Sequence, residues 1–324
     1  MKLASYDFNG RGRVGVQFGD EIIDVILTSE ELRKRARLEF PTLEQVSDMI
    51  SLLEWGDLAL NETRELLQQT THLINQGKDR FLREIGAIVS TNRVHSRSPV
   101  PRPRKNILCV GLNYRDHWLE TAARRGEPLP SSPMFFSKST NAVIGPFDDI
   151  VYPSSSSELD YEVELAVILG RRGKDISRMD AFEYVVGYAI LNDVSARDLH
   201  RKHQQLFKGK SLDTFAPLGP CIVTKDEISD PHNLDMELKV NGELKQRSNT
   251  REMIFKIPDI VEILSQDMTL EPGDVIGTGT PAGVALGMTH PRYLEVGDVV
   301  EAKIEGLGTI RNKVIEKTQR AGQI

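Results

Sequence analysis

Cysteine is scarce in this chain, two residues in 324, and both Cys109 and Cys221 lie in apolar, strand-like runs. That excludes a disulfide framework and predicts buried thiols in a reducing compartment. Long blocks of like charge are also missing. The formal net charge of -6 is spread along the sequence, which argues against a nucleic-acid surface. No apolar run approaches the length needed to cross a bilayer, so no membrane partner is expected. The first residues lack a charged leader ahead of an apolar core, and no signal peptide is expected. A phosphate-cradling loop is absent too, since Gly277-Thr278-Gly279-Thr280-Pro281 has neither the spacing nor the lysine. No internal repeat or low-complexity tract is visible. What is there is an ordinary soluble composition, 39% hydrophobic and 27% charged, as of a cytoplasmic enzyme or binding protein.

The chain opens with strand-like runs at 2–8, 14–18 and 22–25, punctuated by Asn9-Gly10-Arg11-Gly12 and Gly19-Asp20. That is the turn chemistry of a small meander. From 42 to about 74 the apolar spacing becomes helical, through Leu43, Val46, Ile50, Leu53, Leu58 and Leu66. Pro99, Pro101 and Pro103 then interrupt a basic stretch at 96–105 and mark an extended linker. The expected division is a small N-terminal α+β domain, 1–100, and a second domain, 101–324. Short strand-like runs dominate the second part, at 107–110, 165–169, 185–191, 221–224, 236–240, 275–277 and 299–304. Many short strands with few long helices favour a mostly-β body with helices, of α+β class, over a doubly wound sheet.

The most informative stretch sets Glu162 and Glu164 two residues apart at the head of the run 165–169. Side chains two apart on a strand share a face. Paired carboxylates at the end of a core strand repel each other unless one is protonated or a cation lies between them. An all-oxygen site suits Mg²⁺, Mn²⁺ or Ca²⁺. The plainer alternative puts both on the solvent face of a half-exposed strand. Asp193, just after the run 185–191, is a third carboxylate where a strand leaves the core. Alone it reads as the N-cap of a helix beginning near Ser195. Asp198 is the runner-up ligand, though beside Arg197 it fits an ion pair better. His117 and Glu120 stand three apart, on one side of a helix. They suit either a water-activating base held by a carboxylate or an ordinary surface pair. Lys210, after Gly209, is either a solvated loop charge or an oxyanion partner.

Taken in order, five blocks resemble the fumarylacetoacetate hydrolase superfamily. They are Gly111-Leu112-Asn113-Tyr114-x-x-His117, Glu162-x-Glu164, Asn192-Asp193-x-Ser195-Ala196-Arg197-Asp198, Gly209-Lys210-Ser211 and Gly279-Thr280-Pro281-Ala282-Gly283-Val284. The resemblance runs from about residue 106 to the C-terminus, and the first hundred residues resemble the variable leader of longer bacterial members. Acylpyruvate hydrolases and 2-hydroxyhepta-2,4-diene-1,7-dioate isomerases are the members it looks like. The resemblance implies a mixed β-roll catalytic domain, a lid helix near 113–126 and a homodimer through the catalytic domains. It implies Mg²⁺ or Mn²⁺, with Ca²⁺ as a substitute, on Glu162, Glu164 and Asp193. His117 and Glu120 match the base dyad, and Lys210 the lysine near the reacting atoms. Arg197 and Thr280 match substrate contacts, and Lys138 falls where relatives carry a lysine, although a solvated loop suits it equally. His200 departs from the glutamine of the hydrolase that names the family. His203 and His290 are expected to be exposed.

The expected function is hydrolysis of a C–C bond in a 2,4-dioxo acid, an acylpyruvate, by water activated at His117 and Glu120. The same metal site also serves tautomerisation of a 2-hydroxy-diene dioate or decarboxylation of oxaloacetate, because all three pass through an enolate. A non-catalytic binding module is the alternative of another class. Retention of the ligands, the dyad and Lys210 speaks against it. On this reading a hydrolase is stopped by His117→Ala, whereas an isomerase or decarboxylase tolerates it far better.

Overall fold

The computed structural model describes residues 1–36 and 38–317. Two-residue turns fold the first three strands, Lys2–Phe8, Arg11–Phe18 and Glu21–Asp24, into the expected meander. At Asn9-Gly10 both residues have positive φ, 52° and 74°, the conformation a right-twisted hairpin demands and asparagine and glycine tolerate. The meander does not stand apart. Lys2–Phe8 pairs antiparallel with Ala216–Thr224, so one large sheet runs from the N-terminal segment into the rest of the chain. Its order is Ile88–Ser90, Glu21–Asp24, Arg11–Phe18, Lys2–Phe8, Ala216–Thr224, Val185–Asn192, Val163–Leu169, Val275–Gly277, Ile107–Gly111 and Met134–Lys138.

A second sheet of five strands is ordered Glu243–Asn249, Asp235–Val240, Val299–Ile304, Gly308–Glu316 and Ile150–Tyr152. The architecture is α+β with mixed sheets, as expected. Val163–Leu169 and Val185–Asn192 are buried at every residue, which is why they read as unbroken apolar runs. The strand Gly308–Glu316, by contrast, alternates buried and exposed and so gave no apolar run to detect. The helical span expected over 42–74 divides into a short turn, Leu43–Gln45, and two helices, Met49–Glu54 and Gly56–Asn75. The break falls at Gly56, whose φ of 54° is left-handed. A helix at Val25–Ala36 was not anticipated; Asp24 caps it by accepting the Leu27 N–H at 2.8 Å. Both cysteines are buried, and among the described residues no helix is long and apolar enough to cross a membrane.

Register in the central pair positions the chemistry. Val163 lies opposite Asn192 and Glu164 opposite Leu191, so the chain leaves both strands at the same end. The Asp193 N–H then donates to the Glu162 carbonyl at 2.8 Å, fixing the third carboxylate beside the first two.

Leu3 is fully buried in the strand that joins the two parts of the large sheet. Leu3→Ala is expected to lower stability by roughly 2–5 kcal/mol. In urea the whole chain should shift as one transition, whether followed by tryptophan fluorescence or far-UV circular dichroism. Separate transitions would show that the sheet does not couple its halves.

Candidate active site

Glu162, Glu164 and Asp193 meet in the interior, with one oxygen of each within 4.8 Å of the others. They are 4%, 1% and 0% exposed, so the solvent-face alternative for the glutamates is corrected. Asp193 caps no helix: the next one begins at Arg197 with Ala196 before it. Its carboxylate instead accepts from Lys138 Nζ at 2.6 Å and from Lys210 Nζ. Lys210 also donates to Glu162 at 2.6 Å, and Arg197 Nη2 donates to the other Glu162 oxygen. Neither lysine is a solvated loop charge. Lys138 ends a strand and Lys210 a short helix, and both are buried. Asp198 neither joins the triad nor pairs with Arg197; it holds Ser156 Oγ at 2.6 Å and the Ser157 N–H at 3.1 Å.

Electrostatics separates the two glutamates. Burial would raise the Glu162 carboxyl, but Arg197 and Lys210 outweigh it and hold it well below the usual range. Glu164 receives only the Gly279 N–H, at 3.1 Å, and among the described residues no basic side chain reaches it. Burial, then the charges of Asp193 and Glu162, push its carboxyl well up. A hard divalent cation at this all-oxygen cluster would remove that repulsion, and the donor set fits one. Glycine at 277 makes room for the Glu164 carboxylate, since an added Cβ would lie 2.4 Å from its Oε2.

The triad opens on a cavity of about 450 Å³ lined by His117, Glu162, Glu164, Arg197, Lys210 and Thr280 among others. His117 and Glu120 lie on the helix Arg115–Glu120 within the expected lid span, and Nδ1 meets Glu120 Oε1 at 2.9 Å. His117 is only 7% exposed, so this is no surface pair. With the Glu120 carboxylate accepting, Nδ1 is the donor of this bond and Nε2 is the ring nitrogen left outside it. Glu120 is itself held, through Oε2, by the Gly283 N–H at 2.9 Å.

The remaining expected contacts are placed unevenly. The Thr280 hydroxyl is committed, donating to the Val163 carbonyl at 2.9 Å and accepting from Gln246 at 2.8 Å. His200 lines the cavity with its Nε2 unpartnered beside Gly209; burial, then Lys210 and Arg197, lower it to about 3 and keep it neutral. Lys138 stands behind Asp193, also donating to the Val194 carbonyl at 3.0 Å, and is not on the cavity wall. His203 and His290 are exposed. Sequence reasoning missed Asp160, which is fully buried and bonds Arg197 Nε at 2.9 Å. Its position two before Glu162 was the available signal, continuing the same-face pattern by one residue.

A buried carboxylate cluster able to hold a divalent cation shares one cavity with a histidine–carboxylate pair, an arrangement that suits an enzyme site. The family model for the fumarylacetoacetate (FAA) hydrolase C-terminal domain matches residues 106–315, and the chain belongs to that family. It is 40% identical to the oxaloacetate tautomerase YisK of Bacillus subtilis over 97% of this chain and 100% of that protein. It is 44% identical to the mitochondrial oxaloacetate tautomerase Fahd2a of Rattus norvegicus, over 82% of this chain and 79% of that one. Among solved structures it is similar to a fumarylacetoacetate hydrolase of Exiguobacterium antarcticum, with TM-score 0.75 and 35% identity, covering 98% of this chain and 100% of that one.

Isothermal titration should show Mg²⁺ or Mn²⁺ binding that Glu164→Gln weakens by more than about tenfold, with Gly277→Ala acting in the same direction. The raised Glu164 carboxyl destabilises the metal-free fold as pH climbs from its unfolded value through the folded one. Because proton and cation compete there, the gain in Tm on adding Mn²⁺ should be larger near pH 8 than near pH 5. An equal gain at both would contradict this account.

Proposed function

We propose that the protein is a divalent-metal-dependent tautomerase interconverting the keto and enol forms of a 2-oxo dicarboxylate, with oxaloacetate as the leading substrate. The observation that carries this is the full-length similarity to a protein named as an oxaloacetate tautomerase, at 40% identity over 97% of the chain. It favours the isomerase alternative over acylpyruvate hydrolysis.

Glu162, Glu164 and Asp193 would hold Mg²⁺ or Mn²⁺. When bound, the ion supplies Lewis acidity toward the 2-oxo acid end. The protein's own groups do the rest. Arg197 orients a substrate carboxylate in the cavity. His117, with Nδ1 fixed by Glu120, presents Nε2 to take the proton from the carbon next to the carbonyl. The Lys210 ammonium lies 5.0 Å over the Phe136 ring on the same wall and stabilises negative charge on the enolate oxygen. The proton returns to that oxygen, so one C–H bond is broken, one O–H bond forms and nothing leaves. A base is needed at carbon as much as at water. The dyad therefore does not select a hydrolase, and His117→Ala does not separate the two reactions as the sequence reading supposed.

Acylpyruvate hydrolysis is the second reading; the His117–Glu120 pair is compatible with it, and the likeness to a fumarylacetoacetate hydrolase favours it. A homodimer through the catalytic region belongs with the proposal, and light scattering after size exclusion tests it.

Decay of freshly dissolved enol oxaloacetate, followed by its ultraviolet absorbance, should be accelerated only with metal present. His117→Ala should slow it by roughly 10²–10⁴-fold, with oxaloacetate recovered intact. Release of pyruvate instead would mean decarboxylation. Cleavage of acylpyruvates with no effect on enol oxaloacetate would replace the tautomerase reading by the hydrolase.

A further inference from the structure

Asp160 is fully buried and does not line the cavity, yet its carboxylate is saturated. Oδ1 accepts the N–H groups of Tyr161 and Ala285, each at 2.9 Å. Oδ2 accepts Arg197 Nε at 2.9 Å and the Leu286 N–H at 3.1 Å. A carboxylate offers about four acceptor sites, so Asp160 has none left for a substrate. Its donors come from its own strand, from the guanidinium in the cavity and from the segment that ends at 287.

That segment clasps the site along its whole length. The Gly279 N–H holds Glu164 at 3.1 Å, and Thr280 Oγ1 holds the Val163 carbonyl at 2.9 Å. The Gly283 N–H holds Glu120 Oε2 at 2.9 Å, while its carbonyl accepts the Tyr161 hydroxyl at 3.3 Å. The Gly287 carbonyl accepts Arg124 from the lid at 2.8 Å. Gly287 also lies against Glu120 so closely that an added Cβ would be 2.5 Å from its carboxyl carbon. One stretch of backbone thus touches a metal-ligand candidate, the base dyad and the lid.

We propose that Asp160 is a positioning residue that keys this segment, and with it the His117–Glu120 helix, to Arg197 and through Arg197 to Glu162. The inference rests on reading the cavity as a 2-oxo acid site. Arg197 gives Nε to Asp160 and Nη2 to Glu162, while Nη1 makes no hydrogen bond among the described residues. Two of the five guanidinium N–H groups are thus used, and those of Nη1 with the second of Nη2 are left for a substrate carboxylate, their aim fixed by the two anchors. Removing Asp160 leaves the guanidinium pivoting on Glu162 alone. It also releases the N–H groups of Ala285 and Leu286, at the end of the segment that latches Glu120.

Two variants test this in a Trp55→Phe background, where Trp118 on the lid helix is the single tryptophan. Asp160→Asn keeps the volume, but either amide orientation turns an NH₂ toward two donors. Ala285→Pro removes the N–H of 285 and sets Cδ against Asp160 Oδ1, so it breaks the same contact from the segment's side and leaves Asp160 itself in place. Val284 is extended (φ -65°, ψ 151°) and 285 opens a 3₁₀ turn, so proline suits the backbone. In both variants acrylamide quenching of Trp118 without any ligand should rise roughly twofold. Oxalate in the presence of Mn²⁺ should bind about tenfold more weakly, the size of one charge-assisted hydrogen bond, with Mn²⁺ affinity retained. Quenching and oxalate affinity unchanged in a folded variant would overturn the proposal. So would Mn²⁺ affinity falling in step with oxalate, which would reduce Asp160 to a support for the ligands. If Asp160→Asn does not fold, Ala285→Pro decides alone. Failure of the parent to bind Mn²⁺ would sink the metal reading, and the ligand-free quenching would still judge this one.

Discussion

Mutual repulsion among Glu162, Glu164 and Asp193 is the constraint from which the arrangement of the site follows. Three carboxylates this close and this buried stay ionised only if opposite charge surrounds them. Lys138 and Lys210 converge on Asp193, Lys210 and Arg197 on Glu162, and Asp160 steadies Arg197 in turn. Glu164 is the exception: among the described residues it has a backbone N–H and no ion pair, and Lys210 acts on it only through space. The imbalance points to one place, and that place faces the cavity. Each basic residue around the triad thus has an electrostatic reason to be buried that is independent of any substrate.

The site was legible where chemistry is local and dark where it depends on neighbours distant in sequence. Glu162 and Glu164 share a face because they are two apart, and His117 meets Glu120 because they are three apart on a helix; spacing alone carries both. Local sequence alone made Asp193 a helix cap and left Lys210 open between a loop charge and an oxyanion partner; only the ordered resemblance put both at the site. Their roles come from strand register and from a helix packed against the triad, and neither is encoded within a few residues. The fold divides the same way. Val163–Leu169 and Val185–Asn192 were visible because burial on both faces makes them apolar except at Glu164 and Asn192, near the end that carries the site. Gly308–Glu316 and Met134–Lys138 were not, since their mixed composition is that of half-exposed strands. The split of the long helical span at Gly56 is a backbone event that periodicity passes over.

The chain's relatives include tautomerases, hydrolases and isomerases, and the geometry is compatible with each. An imidazole 2.9 Å from a carboxylate, a buried ammonium and a carboxylate cluster that fits a cation suit proton transfer at carbon and at water alike. Hydrolysis needs a water beside the base and tautomerisation does not, and the helix Arg115–Glu120 meets the segment 279–287 through the Gly283 N–H on Glu120.

The pairing of Lys2 and Leu3 with Val223 and Ile222 has a consequence for how the chain survives damage. Ala216–Thr224 is almost wholly apolar and buried, and the N-terminal strand covers its outer edge. Proteolysis that removed the meander would bare that edge, a row of unpaired backbone groups flanked by apolar side chains. Such an edge recruits other strands. In the intact chain the pairing at 222 and 223 therefore also shields that stretch of edge from the strands of other molecules.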